Sequence, residues 1–500
     1  MKQELLSTYS VEAEGVRAKV QILKGKGFVP VYRIDIAELE PATVALLDSI
    51  KERLITEVPV AVKEILDPKE IEHVRARFKT KADTILDRLI PSAPESEKVY
   101  LVGLLLHDML GLGNLEFVLN DPNLEEIVVN SSTEPVRVYH KEFGWLETNI
   151  RIKTEAQIQN YASIIARRVG RQITTLHPLL DAHLITGDRA NATLFPISTH
   201  GNTITIRKFA RRPWTITDFI KKRTITAEAA SLIWLAMQYE CNMIVSGGTA
   251  SGKTSFLNVC MPFIQPYHRT ISIEETRELQ IPSFIHWIPL TTREPNPEGK
   301  GEVSMLDLMV NSLRMRPDRI VVGEIRRQAQ AEVLFEAMHT GHSVYNTLHA
   351  NTAAQTIRRL VNPPISVPLA MLEAVDLNVV MFRDRRTGRR RMLQAAEFVP
   401  SKEGEGVKPN VLYQWKPATD RILPHSKSVR LFNEISMNTG MSQVELAEDL
   451  KLKTRILEWA VKHDLTDLNS IGKLMALYYT DTAAVVDAVT KNKKPDQWLG

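Results

Sequence analysis

The ten residues Ser246–Ser255 read SGGTASGKTS, and their types and spacing suit one task, the grip of a phosphate. Gly247, four residues, then Gly252, Lys253 and Thr254 match a phosphate-binding loop. An apolar run, Met243 to Val245, precedes it, and SFLNVCMPFI can open as a helix behind it. Backbone N–H groups of such a loop converge on one concavity, and the helix N-terminus adds partial positive charge. Glycines let the backbone approach without a Cβ in the way. Gly247, Gly248, Thr249, Ala250, Ser251, Gly252, Lys253, Thr254 and Ser255 are therefore the expected nucleotide-binding set. Lys253 would reach the β- and γ-phosphates, and the Thr254 hydroxyl would hold Mg²⁺. A plain Gly/Ser turn would need neither the Lys-Thr pair nor the strand and helix around it.

Three further apolar runs end in residues that could act on a phosphate. TISIEETREL brings Glu274 and Glu275 to a strand end. Adjacent strand residues point to opposite sides, so one acid can face a γ-phosphate while the other packs elsewhere. Glu274 is assigned the attacking water and Glu275 a supporting place. RIVVGEIRR ends in Glu324, placed to hold the magnesium shell through water. Asp318 stands at the opposite end of that run and reads as a turn residue. AMHTGHSVYNTLHANT carries His339, His342 and His349. His349 reads as a γ-phosphate contact, His342 as its supporting neighbour, and His339 as a helix C-terminal residue. A metal site made of the three histidines is the alternative, without a cysteine to accompany it.

These residues need strands and helices to hold them. From about Ala227, short apolar runs alternate with helical periods such as SMLDLMVNSLRM and QAQAEVLFEAMH. The alternation predicts a parallel sheet covered on both faces, with ligands at the carboxyl ends of its strands. Residues 1–95 read as an α+β domain closed by a linker, PSAPESEK. Residues 96–225 read as a second α+β domain with a connector, 226–400 as the domain that carries the phosphate-binding loop, and 401–500 as a helical region. The expected class is α/β.

The composition fits this plan. The 500 residues suffice for about three domains. The net charge of +4 is too small to imply nucleic acid. Cys241 and Cys260 form no CxxC pair and are expected in the core. No apolar run approaches the ~18 residues of a membrane span, and the N-terminus lacks a signal-peptide core. Any work at a membrane would therefore go through partners. A nucleic-acid motor is the competing class, supported by the basic run RDRRTGRRRM, Arg383–Met392. Thr387-Gly388 marks that run as a hairpin, and it holds no aromatic residue for base stacking. A small-molecule kinase would leave the N-terminal domains unexplained.

Together, GGTASGKTS, SIEETREL, SLRMRPDRIVVGEIR and TGHSVYNTLHAN resemble the Walker A, Asp box, Walker B and His box of the type II and type IV secretion ATPase superfamily. The archaeal branch that drives pili and archaella is the most similar. PLLDAHLITGDRANATL and TITIRKF resemble that superfamily's second N-terminal domain. Glu275 stands where an Asp is usual, Arg327 where a small Gly is usual, and GDRA where GSRV is commoner. The resemblance implies a RecA-like motor domain binding ATP and Mg²⁺, with ATP at the cleft between that domain and the second N-terminal domain. It implies a homo-oligomer, typically a hexameric ring. It also implies a cytoplasmic motor, peripheral at the inner face of the membrane. The partners would be a polytopic membrane platform protein and, indirectly, filament or secreted subunits. Arg189 and Arg207 match positions that would reach the γ-phosphate, with Arg293 and Arg171 as further candidates.

Overall fold

The computed structural model describes residues 4–24, 29–36, 39–59, 70–184, 187–209, 212–293, 295, 299–401 and 406–499. The chain divides into two compact units, Met1–Arg211 and Arg212–Gly500.

The first unit holds strands β1 (Leu5–Ala13), β2 (Val16–Leu23), β3 (Val31–Asp35), β4 (Leu124–Val129), β5 (Arg137–His140), β6 (Gly144–Thr148), β7 (Leu179–His183), β8 (Arg189–Thr193) and β9 (Thr203–Arg207). They form one sheet in the order β1-β2-β3-β6-β5-β4-β9-β8-β7. On β2 the period-two pattern is plain, with Val16, Ala18, Val20 and Ile22 buried while Arg17 and Lys19 point out. Helix Glu155–Arg168 presents Ile158, Tyr161, Ala162 and Ile165 to the same core. Its N-terminus is capped by Thr154, whose side chain accepts from Gln157 N.

The expected break near residue 95 is not a break in this sheet. β3 pairs in parallel with β6, Val31 opposite Glu147. Helix Glu95–Met109 starts inside the stretch read as a linker, and it packs with helices Pro41–Glu57 and Glu70–Leu89 around Leu54, Phe78, Leu86 and Leu105. Apolar surface on the helix that follows the Pro/Ser turn decides this, and local turn composition carries no information about it.

The second unit holds β10 (Met243–Gly247), β11 (Thr270–Glu274), β12 (Trp287–Thr291), β13 (Arg319–Val322), β14 (Ser343–Leu348), β15 (Leu377–Arg383), β16 (Arg390–Pro400), β17 (Val407–Lys416) and β18 (Arg421–Pro424). Their order is β12-β11-β13-β14-β10-β15-β16-β17-β18. Pairing is parallel from β12 to β15 and antiparallel from β15 to β18. Every residue of β10 is buried. Met243 and Val245 enter one core and Ile244 the other, which is why parallel strands read as unbroken apolar runs. Cys241 and Cys260 are both buried and free.

Residues 407–424 extend this sheet, so the helical part of the C-terminal region begins at Leu431. β17 contains Pro409 and an irregular pattern, and its strand state comes from pairing with β16. The long final helical period is also divided. Asp481 accepts from Ala484 N and starts helix Thr482–Thr490 directly after Leu468–Thr480.

Candidate nucleotide site

The phosphate-binding stretch leaves β10 at Gly247. A Cβ there would lie 2.5 Å from Met381 O and would also strike the Ser251 hydroxyl, so only glycine fits. Ala250 adopts φ +58, and Gly252, at φ +93, is the N-cap of helix Lys253–Cys260. Two left-handed residues in three turn the chain sharply enough to start the helix at Lys253. Lys253 is 8% exposed. Its Nζ donates to Gly248 O at 3.2 Å and lies 3.4 Å from His349 Nδ1. Burial lowers its pKa, opposed by the carboxylates of Glu324 and Glu278. The loop thus holds a partly desolvated ammonium bonded to its own carbonyl, available to a better anion.

Parallel pairing brings the ends of β13 and β14 beside this lysine. His349 Nε2 lies 3.2 Å from Glu324 Oε1. Lys253 thus faces Nδ1 and Glu324 faces Nε2, an arrangement that an imidazole carrying its proton on Nε2 satisfies on both sides. Burial and the Lys253 charge lower the His349 pKa, which favours the neutral ring. Glu324 Oε2 accepts from Arg326 Nε at 3.0 Å, and Arg326 Nη1 donates to Glu275 at 2.8 and 3.0 Å. Lys253, His349, Glu324, Arg326 and Glu275 therefore form one chain of polar contacts. A cavity of about 230 Å³ opens beside it, lined by Glu324, Arg326, Leu348, His349 and Arg359.

The two acids at the end of β11 differ in burial, and the one expected to meet the attacking water, Glu274, is the buried one. Glu274 is 2% exposed, and its Oε1 accepts from Glu278 N at 2.9 Å and Leu279 N at 3.1 Å. Its Oε2 is buried with no hydrogen-bond partner among the described residues. Burial pushes its pKa up to about 7. Glu274 thus ties down the turn after the strand, because the inward-facing register at the strand end falls on it. Glu275 takes the outward place and pairs with Arg326. Glu278, four residues beyond Glu274, is the acid on this turn whose charge acts on Lys253. Glu278 and Arg326 were not among the expected site residues. The one sequence signal for Glu278 was its place in the same exit turn, and for Arg326 its place two residues past Glu324.

The remaining expected residues are spread more widely. His342 Nδ1 lies 3.2 Å from Thr340 Oγ1, away from His349. Among the described residues no group of three or more His, Cys, Asp or Glu gathers as a metal site. Arg293 Nε donates to Gly301 O at 2.6 Å in the loop after β12. In the first unit, Arg189 and Arg207 are direct cross-strand partners on β8 and β9. Arg189 binds Asp181 with Nε–Oδ1 of 3.0 Å, and Arg207 stands opposite Glu126 of β4. Arg171 Nη1 donates to Asp181 O at 2.6 Å. For magnesium the loop supplies the half-buried Thr254 hydroxyl and the end of β13 the Glu324 carboxylate, both hard oxygen donors. That set fits an ion whose other ligands are phosphates and water.

Residues 116–384 match the family described as type II/IV secretion system protein. An uncharacterised protein of Methanocaldococcus jannaschii is 35% identical over 402 residues, covering 79% of this chain and 72% of that protein. The conjugal transfer protein TrbB of Rhizobium radiobacter is 30% identical over 294 residues, covering 57% of this chain and 87% of its own. Among solved structures, the ATPase DotB of Legionella pneumophila aligns with 74% of this chain and 92% of its own, at 20% identity and a TM-score of 0.40. With more than half of its length matched and a relative of this identity and coverage, the chain belongs to the type II/IV secretion system protein family.

Proposed function

We propose that this chain is the ATPase motor of a type IV pilus-like or archaellum-like filament, or of a secretion machine. The observation that carries it is the contact of buried Lys253 with His349 and, through it, Glu324 at the mouth of the loop. At rest Lys253 satisfies Gly248 O. A triphosphate entering the loop offers stronger, charge-assisted acceptors and takes the ammonium over. His349, held by Glu324, then faces the γ-phosphate with its ring orientation fixed. We assign the attacking water to Glu278, whose charge acts on Lys253, and Glu274 bonds the turn that carries it. Magnesium, held on the Thr254 side, would neutralise charge on the transferring group.

Family membership supports the wider reading. The motor works as a homo-oligomer, a hexameric ring, at the inner face of the membrane. It acts on a polytopic platform protein, and Arg189 and Arg207 contribute to turnover. No helix among the described residues is long and apolar enough to cross a membrane. The test is ATP hydrolysis by the purified chain with and without magnesium, alongside Lys253→Ala. Sizing with and without a non-hydrolysable ATP analogue reads the ring. ATP turnover that survives Lys253→Ala would remove the site. A monomer under all nucleotide conditions at micromolar concentration would remove the ring.

A further inference from the structure

The strand order gives the loop strand two unlike neighbours. On one side β14 and then β13 bring His349 and Glu324. On the other side lies β15, with Gly247 opposite Met381, and β15 turns into β16 through the basic hairpin. That hairpin is a tightly bonded turn. Asp384 N donates to Arg389 O at 2.9 Å, Gly388 N to Asp384 O at 2.8 Å, and Thr387 Oγ1 to Asp384 Oδ2 at 2.7 Å. Its base is anchored as well. Arg391 forms two 2.8 Å bonds to Asp420 of the β17–β18 turn, and Met392 N donates to Thr224 O at 2.7 Å.

Arg390 stands between these anchors and the loop. Its Nε donates to Ala250 O at 3.2 Å, and its Cδ lies 3.4 Å from where a Cβ on Gly252 would be. Ala250 is a non-glycine residue in the left-handed region, a conformation that costs about 1 kcal/mol and persists only where its surroundings hold it. The carbonyl that Arg390 binds belongs to that residue. Fixing it outward on the hairpin side helps aim the following N–H groups into the concavity. Gly252 is needed for its φ of +93, and the Arg390 stem lies at ordinary contact distance from its Cα side.

We infer that Arg390 is a positioning residue for the nucleotide, one that holds the apex of the phosphate-binding loop in its binding shape from the hairpin side. The inference rests on the nucleotide reading given above. It assigns a role to one arginine of a run whose composition alone suggested nucleic acid. It also ties nucleotide affinity to the β16–β18 extension, because the same hairpin is bonded to Asp420.

The test compares ADP and ATP binding and steady-state ATP turnover for wild type, Arg390→Ala, Arg390→Met, Arg390→Lys, Arg385→Ala and Lys253→Ala. Arg390→Met keeps an aliphatic stem over Gly252 and removes the donors, so it guards against loss of folding. Arg390→Ala and Arg390→Met are expected to weaken ADP and ATP alike by roughly tenfold, raising KM while kcat at saturation stays within about twofold. Arg390→Lys should recover part of that loss. Arg385→Ala removes one charge from the exposed turn and should bind as wild type. Wild-type affinity in Arg390→Met, with Lys253→Ala inactive, would overturn the inference and leave the nucleotide reading standing. Equal weakening in Arg385→Ala would also overturn it, since net charge would then be the cause. A wild-type chain that binds no ADP would defeat the nucleotide reading itself, and this inference with it.

Discussion

In the sheet of Met1–Arg211, β3 and β6 make the one parallel pair described, whereas β12, β11, β13, β14, β10 and β15 all run parallel. The difference decides where chemistry can gather. Parallel strands share a carboxyl edge, so residues far apart in sequence exit at one place. Lys253, Glu324 and His349 meet because β10, β13 and β14 all end there, and the charge of Glu278, past the end of β11, acts on Lys253. Antiparallel neighbours instead bring single pairs together across a ladder. Arg189 and Arg207 are such a pair, and Asp181 and Glu126 lie beside them on the same sheet. The first sheet can present a local charge patch, whereas the second can assemble a site from distant segments.

Lys253→Ala is the sharpest probe of the parallel edge. It removes the buried cation while leaving the loop's glycines in place. Turnover should fall by at least ~10³-fold with ATP affinity sharply reduced, because the lost contacts are charge-assisted and desolvated. Single-turnover hydrolysis and a binding titration on the same preparation would read both.

The two acids of the exit turn divide structural from chemical work. Glu278→Gln should keep ATP bound and lower kcat by ~10²-fold or more. Glu274→Gln keeps an acceptor for the Glu278 and Leu279 N–H groups and should change kcat by less than ~3-fold. The reverse ranking would mean that Glu274 turns outward to meet substrate, and the placement of the two acids would have to be exchanged.

Arg189→Ala and Arg207→Ala test whether the antiparallel sheet takes part in the chemistry. Loss of turnover by ~10-fold or more at unchanged melting temperature is the outcome expected of arginines that serve the transition state. The half-exposed Arg189–Asp181 pair is worth only ~0.2–1 kcal/mol, so its loss leaves the fold intact. Normal turnover per folded molecule would confine both arginines to the upkeep of their own sheet.

The smallest effect concerns pH. The Glu274 pKa of about 7 in the folded chain lies above its ordinary 4.5. Between those values the folded chain keeps a proton that the unfolded chain has released, so stability falls as pH rises through that window. Glu274→Gln removes this dependence. The variant should melt above wild type by roughly 2–6 °C at pH 8, with the gap closing toward pH 4.5. A gap independent of pH would show that the carboxyl is ionised and satisfied in the folded state.

The glycine spacing, the Lys-Thr pair and the apolar runs before each polar exit were legible along the chain because they are local requirements. A backbone at positive φ favours glycine, a helix start favours a capping residue, and a strand buried on both faces reads as an apolar run. The α/β alternation follows from the same local periods. Tertiary structure alone decided which way each acid faces, since Glu274 ends the strand opposite Thr291 of β12 and bonds the turn behind it, whereas Glu275 lies past the strand. It alone placed Arg326 between Glu324 and Glu275, and drew β17 and β18 into the sheet. It also set Arg390 on the loop, through a strand pairing that joins residues more than a hundred positions apart. Local propensity is fixed within a few residues of each position, whereas orientation and partnership depend on which surfaces remain to be covered once the sheet has formed.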